Sequence, residues 1–380
     1  MAYDAVVIGS GIIGSFTALS LYQRGLNVAV VDRGGLAPGT SRSSDGNLLC
    51  SDKSGGPLLE LSRRSLTLWD AFVAEHGNDC EYDPKGSTVV ARGDEQARDL
   101  AAHVEAHRSA GIDCEFLDGG WARLERELAP EVTAVGHWRH DAQVQPMLAC
   151  YQIARLLRAR GVPYHLYRDV TSIEESDAGV RIGLEGGETL DCGHVGLCTG
   201  VWTNDLLAPL SLSVAVRPRK GHICVLERGD VTVNSKIADF GYNATAEDTS
   251  GDDSGVQTAA IIESTRSGTI LCGSSREFSG FDRAVSSETL RRVLADCIEI
   301  VPALARLRVI RGYAGLRPFS PDGLPMIGPV GSTGRLIVAT GHEGAGHGLA
   351  PVTGDLVARC IVDRDTHPFD GVLHPQRFAS

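Results

Sequence analysis

The first 32 residues hold the pattern that most constrains the fold of this chain. Residues 3–8 (YDAVVI) form a short apolar run, rich in β-branched residues, of the kind that fills a strand buried on both faces of a parallel sheet. The glycine-rich turn GSGIIG follows, then a predicted helix over residues 15–24 and a second buried strand over residues 27–32 (NVAVVD). This order of elements predicts a βαβ unit and therefore an α/β fold.

Three glycines, Gly9, Gly11 and Gly14, have the GxGxxG spacing of a dinucleotide-binding turn. Such a turn needs glycine for the tight bend, for the approach of the backbone to a pyrophosphate, and for close packing of the helix on the strand. Asp32 ends the next strand, where its carboxylate is placed to accept hydrogen bonds from ribose hydroxyls. A carboxylate there disfavours the 2′-phosphate of NADP, so FAD and NAD remain as candidate cofactors.

Two other segments favour FAD over NAD. A polar, serine-rich loop over residues 36–56 follows the second strand, and a loop of this length inside a compact domain is usually functional. Near the C-terminus, a strand over residues 336–340 leads through the turn GHEGAGHG into a predicted helix over residues 349–362, with Pro351 near its first turn. A helix N-terminus of this kind stabilises the negative charge of a reduced isoalloxazine ring.

Length and composition limit the other classes of function. A chain of 380 residues predicts two domains, and a net charge of −12 with a pI near 5.5 argues against a nucleic-acid partner. No apolar run approaches the roughly 20 residues that cross a bilayer, so we expect a cytoplasmic protein without an integral membrane segment. The ten cysteines are scattered singly, which predicts buried reduced thiols and no metal site.

The pattern along the chain predicts a discontinuous domain organisation. Residues 170–191 have the turns of an antiparallel meander, and the strand that follows returns the chain to the first domain. We expect a Rossmann-type FAD-binding domain and a second, α+β substrate domain built on a mostly antiparallel sheet. The predicted FAD-binding domain comprises residues 1–80, 143–213 and 312–380, and the predicted substrate domain comprises residues 81–142 and 214–311.

Five segments together resemble the D-amino-acid oxidase superfamily, in its glycine oxidase and sarcosine oxidase branch. They are VVIGSGIIG with Asp32, GTSRSSDG, LCTGVWT, GLRPFSPDGLPMIGP and ATGHEGAGHGLAPVTG. Within that branch the sequence is most similar to flavin-bearing subunits of D-hydroxyproline or proline dehydrogenases, opine oxidases and hydrogen cyanide synthase. The resemblance implies FAD, a D-amino or N-substituted amino acid as substrate, and electron-accepting partner subunits.

The opening motif and the resemblance together also give a set of expected cofactor contacts. The serine-rich loop should line the pyrophosphate and flavin, and the C-terminal glycines should face the flavin ring. The predicted cofactor-binding residues are Gly9, Gly11, Ile12, Ile13, Gly14, Asp32, Arg33, Thr40, Ser41, Arg42, Ser43, Ser44, Gly46, Asn47, Val170, Thr199, Gly200, Trp202, Gly315, Arg317, Gly341, His342, Gly344, Ala345, Gly346, His347 and Gly348.

Four residues are predicted to act on the substrate. Arg317 matches the arginine that binds the substrate carboxylate in the resembled family, and a planar guanidinium suits that role because it binds a carboxylate through two parallel hydrogen bonds. The alternative is a structural arginine that precedes Pro318. His342 and Glu343 are candidates for an acid–base pair or for hydrogen bonding alone, and Tyr242 is a candidate lid residue.

Two departures from the sarcosine oxidase pattern refine these expectations. The segment RGYAGLRPFSPDG contains no cysteine, so FAD should be bound non-covalently. The strand over residues 269–273 contains no lysine of the kind that activates oxygen, which favours a dehydrogenase.

The leading prediction is oxidation of the C–N bond of a D-amino acid or a cyclic imino acid such as proline or hydroxyproline, by hydride transfer from carbon to flavin N5 to give an imine. The first alternative is an oxidase of N-substituted glycines, of the sarcosine, glycine or opine type. Other possibilities are an FAD subunit that acts only with partners and an NAD-dependent dehydrogenase.

Overall fold

The computed structural model describes residues 3–241, 255–363 and 369–378. Within these ranges the chain forms two large mixed sheets, a two-stranded ribbon and a set of helices that pack mainly on the first sheet. None of the helices in these ranges is long and apolar enough to cross a membrane. All ten cysteines lie within them as free thiols, nine of them buried and Cys360 half-buried.

The helices of the described ranges have the following bounds: α1 (Ile12–Gln23), α2 (Gly56–His76), α3 (Asp94–Ser109), α4 (Pro146–Arg158), α5 (Thr203–Leu207), α6 (Ser287–Ile300), α7 (Gly346–Val362) and α8 (Asp370–Leu373). The strands are β1 (Tyr3–Ile8), β2 (Val28–Asp32), β3 (Asn47–Leu48), β4 (Ser87–Ala91), β5 (Cys114–Leu117), β6 (Ala134–Trp138), β7 (Ala142–Gln143), β8 (Tyr164–Leu166), β9 (Val170–Ser176), β10 (Gly179–Leu184), β11 (Thr189–Leu197), β12 (Arg217–Leu226), β13 (Lys236–Asp239), β14 (Gln257–Ser264), β15 (Ile270–Arg276), β16 (Val309–Phe319), β17 (Met326–Val330) and β18 (Leu336–Thr340).

The first sheet contains the βαβ unit that the opening sequence predicts. Its strand order is β17-β18-β11-β1-β2-β8, and β1 pairs in parallel with both β11 and β2. The interior residues Val6 and Val30 are fully buried because both faces of the sheet are covered. The meander over β9, β10 and β11 joins the same sheet in antiparallel pairing.

Helix α1 packs against α7, α4 and α2 on one face of this sheet. Phe16 of α1 meets Trp69 of α2 edge to face, with ring centroids 4.7 Å apart. The C-terminal helix begins at Gly346, three residues earlier than predicted, so Pro351 lies inside it and not in its first turn. A proline cannot donate to the carbonyl four residues before it, and here the Nε1–H of Trp69 donates to that carbonyl, of His347, at 3.0 Å.

The second sheet has the order β16-β12-β15-β14-β13-β4-β6-β5. All its pairings are antiparallel except that of β13 with β4, which is parallel, so the predicted mostly antiparallel second sheet is confirmed. Helix α6 packs on the β14, β15 and β12 part through a small buried core that includes Val293 and Cys297.

The two sheets draw their strands from alternating stretches of the chain, as a discontinuous organisation requires. The first sheet takes strands from residues 3–32, 164–197 and 326–340, and the second from residues 87–138 and 217–319. Strand β16 belongs wholly to the second sheet, although the predicted boundary at residue 312 falls within it. The division into two domains stays a prediction. After β16 the chain returns to the first sheet.

Candidate active site

A cavity of about 540 Å³ lies at the carboxyl ends of β1, β2, β11 and β18. This edge of a parallel sheet, where neighbouring crossovers leave in opposite directions, is where open α/β sheets bind ligands. Ile8, Gly11 and Ile12 form its wall at the start of α1, and Thr199 and Gly200 close it after β11.

The glycine turn is shaped by contacts that exclude side chains. A Cβ on Gly14 would lie 1.8 Å from the carbonyl oxygen of Gly9, so this glycine lets α1 pack against the turn. Gly9 has φ +110°, and a Cβ there would lie 2.4 Å from the carbonyl oxygen of Cys198. A Cβ on Gly11 would lie 3.2 Å from the Oγ of Ser41, which also accepts a hydrogen bond from the N–H of Ile12 at 3.0 Å.

Asp32 lies at one end of this cavity with its carboxylate held in place by backbone and side-chain donors. Its Oδ2 accepts from the N–H of Ser10 at 2.7 Å and from the Oγ of Ser10 at 2.8 Å, and its Oδ1 accepts from the N–H of Gly34 at 2.8 Å. Trp202 lines the same end, with the Cζ of Arg33 at 4.8 Å from its ring centroid. This end therefore offers an acidic group, an aromatic face and a guanidinium.

The start of α7 and its preceding turn form the other end, where two histidines are buried. The Nε2 of His342 lies 3.0 Å from the Oγ1 of Thr353, and burial, together with His347, lowers the pKa of His342 to about 3. The Nε2 of His347 lies 3.0 Å from the Oγ of Ser44, and burial lowers the pKa of His347 to about 4. Both imidazoles are therefore neutral at physiological pH and act as hydrogen-bonding groups.

The residues around this cavity fit a flavin dinucleotide. Helices α1 and α7 both begin at its wall, and neither N-cap residue, Gly11 or Ala345, makes a side-chain capping bond. Two helix N-termini that face one cavity favour a ligand with negative charge at two places, such as a pyrophosphate and a reduced ring. The glycine turn leaves room for the backbone to approach the pyrophosphate, because a Cβ at Gly11 would narrow the space beside Ser41.

A second cavity, of about 380 Å³, adjoins the first. Thr40, His342, Glu343 and His347 line both cavities, so the two meet at the start of α7. The floor of the second cavity is one face of the second sheet, and alternate residues of each strand point into it, as the two-residue period of a strand requires. From β12 and β16 these floor residues are Arg219, Gly221, Ile223, Gly315, Arg317 and Phe319.

Arg317 lies flat against the backbone of the neighbouring strand. A Cβ built on Gly221 would lie 2.1 Å from its Nη1 and 2.6 Å from its Cζ, so the guanidinium occupies the space that a side chain at this position would need. Its Nη1 donates to the carbonyl oxygen of Ser275 at 2.9 Å. The guanidinium is half-buried and lines the cavity, and it is therefore fixed in orientation before any ligand binds.

Glu343 and Arg219 form a buried ion pair between the two sheets. The Nε of Arg219 donates to the Oε1 of Glu343 at 2.7 Å, and its Nη2 lies 2.5 Å from the same oxygen. Burial alone would raise the pKa of Glu343, but the guanidiniums of Arg219, Arg317 and Arg276 outweigh it and hold that pKa below its ordinary value. Burial and the crowding by Arg276 and Arg317 lower the pKa of Arg219, yet an arginine remains charged in proteins.

The structure brings most of the predicted cofactor residues to the two cavities, and the four exceptions are Gly14, Arg42, Gly46 and Gly341. Gly14 packs the helix on the turn. Gly46 has φ +90°, and a Cβ there would lie 1.9 Å from the carbonyl oxygen of Val144. Gly341 has φ +75° and a Cβ position 2.8 Å from the Cε of Met326, while Arg42 is exposed. These glycines shape the backbone around the cavities and line neither of them.

Of the predicted substrate residues, His342 and Glu343 lie at the junction of the two cavities, and Arg317 lines the second cavity. Their roles stay predictions, and the geometry favours hydrogen bonding over acid–base transfer for His342 because its Nε2 is bonded to Thr353. Tyr242 lies outside the described residues.

Sequence reasoning missed four cationic residues of the second cavity: Lys53, Arg219, Lys236 and Arg276. Arg219 was foreseeable, because the alternation of Arg217, Arg219 and Gly221 continues the strand that the apolar run HICVLE predicts. Lys236 and Arg276 come from β13 and β15, and they reach the cavity only because the sheet order places β15 beside β12 and β13 two strands beyond β15.

Comparisons with known proteins agree with this geometry. The family model "DAO: FAD dependent oxidoreductase" matches residues 4–360. The chain is 28% identical over 376 residues to the glycine oxidase of Geobacillus kaustophilus, covering 97% of this chain and 95% of that protein. It is 27% identical to the hydrogen cyanide synthase subunit HcnC of Pseudomonas aeruginosa, covering 97% of this chain and 94% of that protein.

Solved structures show the same fold. The crystal structure of the glycine oxidase from Geobacillus kaustophilus superposes with a TM-score of 0.87 at 26% identity and covers 99% of both chains. The L-proline dehydrogenase from P. horikoshii superposes with a TM-score of 0.87 at 23% identity, over 99% of this chain and 98% of that one. The resemblance drawn from the motifs, the fold class and the choice of FAD over NAD are thus confirmed, and the chain belongs to the DAO family of FAD-dependent oxidoreductases.

Proposed function

We propose that this enzyme oxidises the C–N bond of a glycine-type amino acid, foremost an N-substituted glycine, to the imine. The observation that carries the proposal is Arg317, a charged and pre-oriented guanidinium in a cavity that opens directly onto the cofactor cavity. The relatives called glycine oxidase favour this substrate class over the leading sequence-based prediction, a D-amino or cyclic imino acid.

Arg317 would fix the substrate by its carboxylate. A guanidinium held flat against Gly221 can present two parallel N–H groups to a carboxylate with little loss of side-chain freedom. That contact positions the α-carbon at the junction with the cofactor cavity, which is where His342 and Glu343 lie. When bound, FAD supplies the acceptor for the hydride that leaves this carbon.

Glu343 would hold the nitrogen end of the substrate. Its carboxylate stays ionised because three guanidiniums surround it, so it is suited to accept a hydrogen bond from the substrate ammonium and is a poor store for that proton. The proton leaves to solvent before the hydride does, and water then hydrolyses the imine to glyoxylate and an amine.

The apolar lining of the second cavity favours a substituent on nitrogen. The cavity, of about 380 Å³, is shared with the edge of the cofactor, because the predicted flavin contacts Ser43, Ser44 and Gly348 line it too. Ile223, Ile261 and Phe319 supply apolar surface beside the charged groups. A substituent on the amine would pack on this apolar surface while the glycine end remained against Arg317.

Anaerobic reduction of the purified flavoprotein tests the proposal. The chain would be mixed in the absence of air with glycine, sarcosine, N-ethylglycine, D-proline and D-alanine, and the loss of the flavin absorbance band would be followed. We expect the N-substituted glycines to reduce the flavin fastest. Faster reduction by D-proline would favour the cyclic imino acid instead, and a flavin that none of these amines reduces would refute the proposal.

Admission of air to the reduced enzyme then identifies the acceptor. Prompt reoxidation with formation of peroxide indicates a self-sufficient oxidase. Slow reoxidation indicates a dehydrogenase that passes electrons to partner subunits, which the similarity to a protein named as a synthase subunit would support.

A further inference from the structure

The loop over residues 277–286 connects β15 to α6 and lies against the cofactor cavity. Most of the cavity wall comes from the first sheet and its turns, but Arg283 of this loop and Pro318 of β16 line it as well. Along β16, Arg317 and Phe319 face the second cavity, so Pro318 between them points to the other face of the second sheet. The second sheet therefore contributes to both cavities.

The loop is exposed, yet it is anchored at both ends and in the middle. At its start, Glu277 exchanges two backbone hydrogen bonds with Lys220 of β12, at 2.9 and 3.1 Å. In the middle, the Nζ of Lys220 donates to the Oδ2 of Asp282 at 2.7 Å. At its end, the N–H of Ser286 donates to the Nε2 of His222 at 3.1 Å. The segment between the last two anchors is therefore held in place before a cofactor binds.

Phe281 connects this loop to the wall that the first sheet supplies. Its ring stacks on the ring of Trp202, with centroids 6.2 Å apart and an interplanar angle of 27°. Trp202 lines the cofactor cavity at the end that contains Asp32. Phe281 remains 51% exposed, so its contact with Trp202 is what this large apolar side chain gains at its position in the loop. The stacked pair holds the loop against that end of the cavity.

Arg283 differs from Arg33 and Arg168, which line the same cavity, in the contacts of its guanidinium. That of Arg33 packs on Trp202, and the Nη1 of Arg168 donates to the carbonyl oxygen of Glu185 at 3.4 Å. The carboxylates that line the cavity are those of Asp32, Asp169, Asp205 and Glu343. Within the part of the chain that the structure describes, Arg283 forms no ion pair with any of them and no side-chain hydrogen bond. An arginine is always charged in proteins, so this charge is available to a ligand in the cavity.

We propose that this loop is a clamp on the cofactor, in which Arg283 binds the pyrophosphate of FAD and Phe281 holds the loop closed on Trp202. The pyrophosphate carries the negative charge of oxidised FAD, so it is the part of the cofactor that attracts a cation. We expect it at the start of α1, where the glycine turn supplies N–H groups but no full positive charge. Arg283 supplies that charge from the other sheet. The proposal does not depend on which amine the enzyme oxidises.

Release of FAD from the holoenzyme tests the clamp without any turnover. The holoenzyme would be diluted far below the concentration at which it retains FAD, and the flavin that passes an ultrafilter would be measured over time. We expect Arg283→Gln to release FAD about tenfold faster than the wild type, and Phe281→Ala about fivefold faster. Arg283→Lys should fall between the wild type and Arg283→Gln, because it keeps the charge and loses the planar guanidinium.

Ionic strength provides a readout that a merely structural role of Arg283 would not change. Salt screens the attraction between an exposed guanidinium and a pyrophosphate, so release from the wild type should become faster as the salt concentration rises. Arg283→Gln has lost this attraction, and its release rate should depend less on salt.

Two exposed residues supply matched controls. Val285→Ala shortens another apolar side chain of the same loop, and Arg266→Gln removes the same charge from the exposed turn between β14 and β15. Neither residue lines the cofactor cavity, so both variants should release FAD at the rate of the wild type. The thermal unfolding midpoint of each holoenzyme shows whether the variant has folded.

The proposal is overturned if the wild type and Arg283→Gln release FAD at equal rates. Faster release with an unchanged salt dependence overturns the role of Arg283, because the lost contact would then not be electrostatic. An equal acceleration in Arg266→Gln also overturns it, since the overall charge of the protein would then be responsible. Release from Val285→Ala that is as fast as release from Phe281→Ala overturns the role of Phe281. None of these outcomes affects the proposed function, which reduction of the flavin by amines tests separately.

Discussion

Replacement of Gly221 by alanine should impair substrate binding although no charged residue is substituted. The guanidinium of Arg317 lies against this glycine, and an added Cβ would come within 2.1 Å of its Nη1. Gly221 is in the middle of β12 and its backbone is extended, so an alanine can adopt this backbone conformation without strain. The substitution therefore tests the position of Arg317 while its charge is preserved.

The size of the effect follows from the required displacement. Ordinary contact of a Cβ begins near 3.4 Å, and the difference from 2.1 Å means that the guanidinium must move by about 1.3 Å. Misplacement of a positioning group by about 1 Å can cost about 100-fold in rate. We therefore expect kcat/KM for sarcosine to fall about 100-fold, which corresponds to about 2.7 kcal/mol at 1.36 kcal/mol for each factor of ten.

Steady-state kinetics with sarcosine and its methyl ester would measure this effect. The ester lacks the carboxylate that Arg317 is proposed to bind, so Gly221→Ala should impair turnover of the acid and leave turnover of the ester nearly as it was. Gly312→Ala on β16 is the control, because its Cβ would meet the Cδ1 of Leu290 at 2.4 Å. That variant should lower the thermal unfolding midpoint through overpacking and leave kcat/KM unchanged.

Equal kcat/KM values for sarcosine in Gly221→Ala and the wild type would refute the reasoning, because the guanidinium cannot stay in place beside the new Cβ. An equal loss with the acid and the ester would also refute it, since the defect would then not pass through the carboxylate.

Three further perturbations probe the cofactor site and the fold. Gly14→Ala should abolish FAD retention through purification, measured by flavin absorbance, because the Cβ would lie 1.8 Å from the carbonyl oxygen of Gly9. Asp32→Ala should raise the FAD dissociation constant about tenfold or more, measured by fluorescence titration, because the predicted acceptor of the ribose hydroxyls is lost together with the three hydrogen bonds that tie it to Ser10 and Gly34; an unchanged constant would contradict the ribose-binding role. Acidification should destabilise the protein through His107, whose pKa is lowered by burial and by a neighbouring histidine to about 4. Between pH 6.5 and about 4, His107 binds a proton in the unfolded chain but not in the folded one. Its contribution to the free energy of unfolding is therefore complete above pH 6.5 and is lost as the pH falls. Unfolding titrations in urea should show that acidification lowers the free energy of unfolding less in His107→Gln than in the wild type.

The parts of the fold that the sequence predicted correctly are those with local signals. Strands Tyr3–Ile8 and Leu336–Thr340 have the predicted bounds, since each is a short apolar run that ends at a glycine-rich turn.

Short strands with few local signals were not predicted. Strands Cys114–Leu117 and Ala134–Trp138 form the far edge of the second sheet, and their place there depends on pairing with β4. The early start of α7 was also missed, because a turn with four glycines is a weak helix former on its own. The carbonyl of His347, which Pro351 leaves without its helical donor, accepts from Trp69, a residue nearly three hundred positions earlier.

The cofactor site was easier to predict from the sequence than the substrate site, because its signals are also local. The glycine turn, Asp32 and the segments at the C-terminus are contiguous motifs, and each lies at the end of a strand that the sequence defines. The substrate cavity is assembled from single residues on separate strands, and Arg219, Arg276 and Lys236 share it through the order of those strands. Local sequence does not encode that order.

Glu343 belongs both to a contiguous motif, the turn before α7, and to the substrate cavity that is assembled from separate strands. Its φ is +48°, in the left-handed region, which costs a residue with a side chain about 1–2 kcal/mol. The same turn contains the glycines Gly341 and Gly344. A glycine at position 343 would relieve that strain, but it would remove the carboxylate that pairs with Arg219 of the other sheet. Charge-assisted hydrogen bonds of about 1.5–3 kcal/mol each are sufficient to offset the strain. The ion pair thus holds the turn of the first sheet against the floor of the second, and it fixes a negative charge at the junction where the substrate nitrogen is proposed to lie.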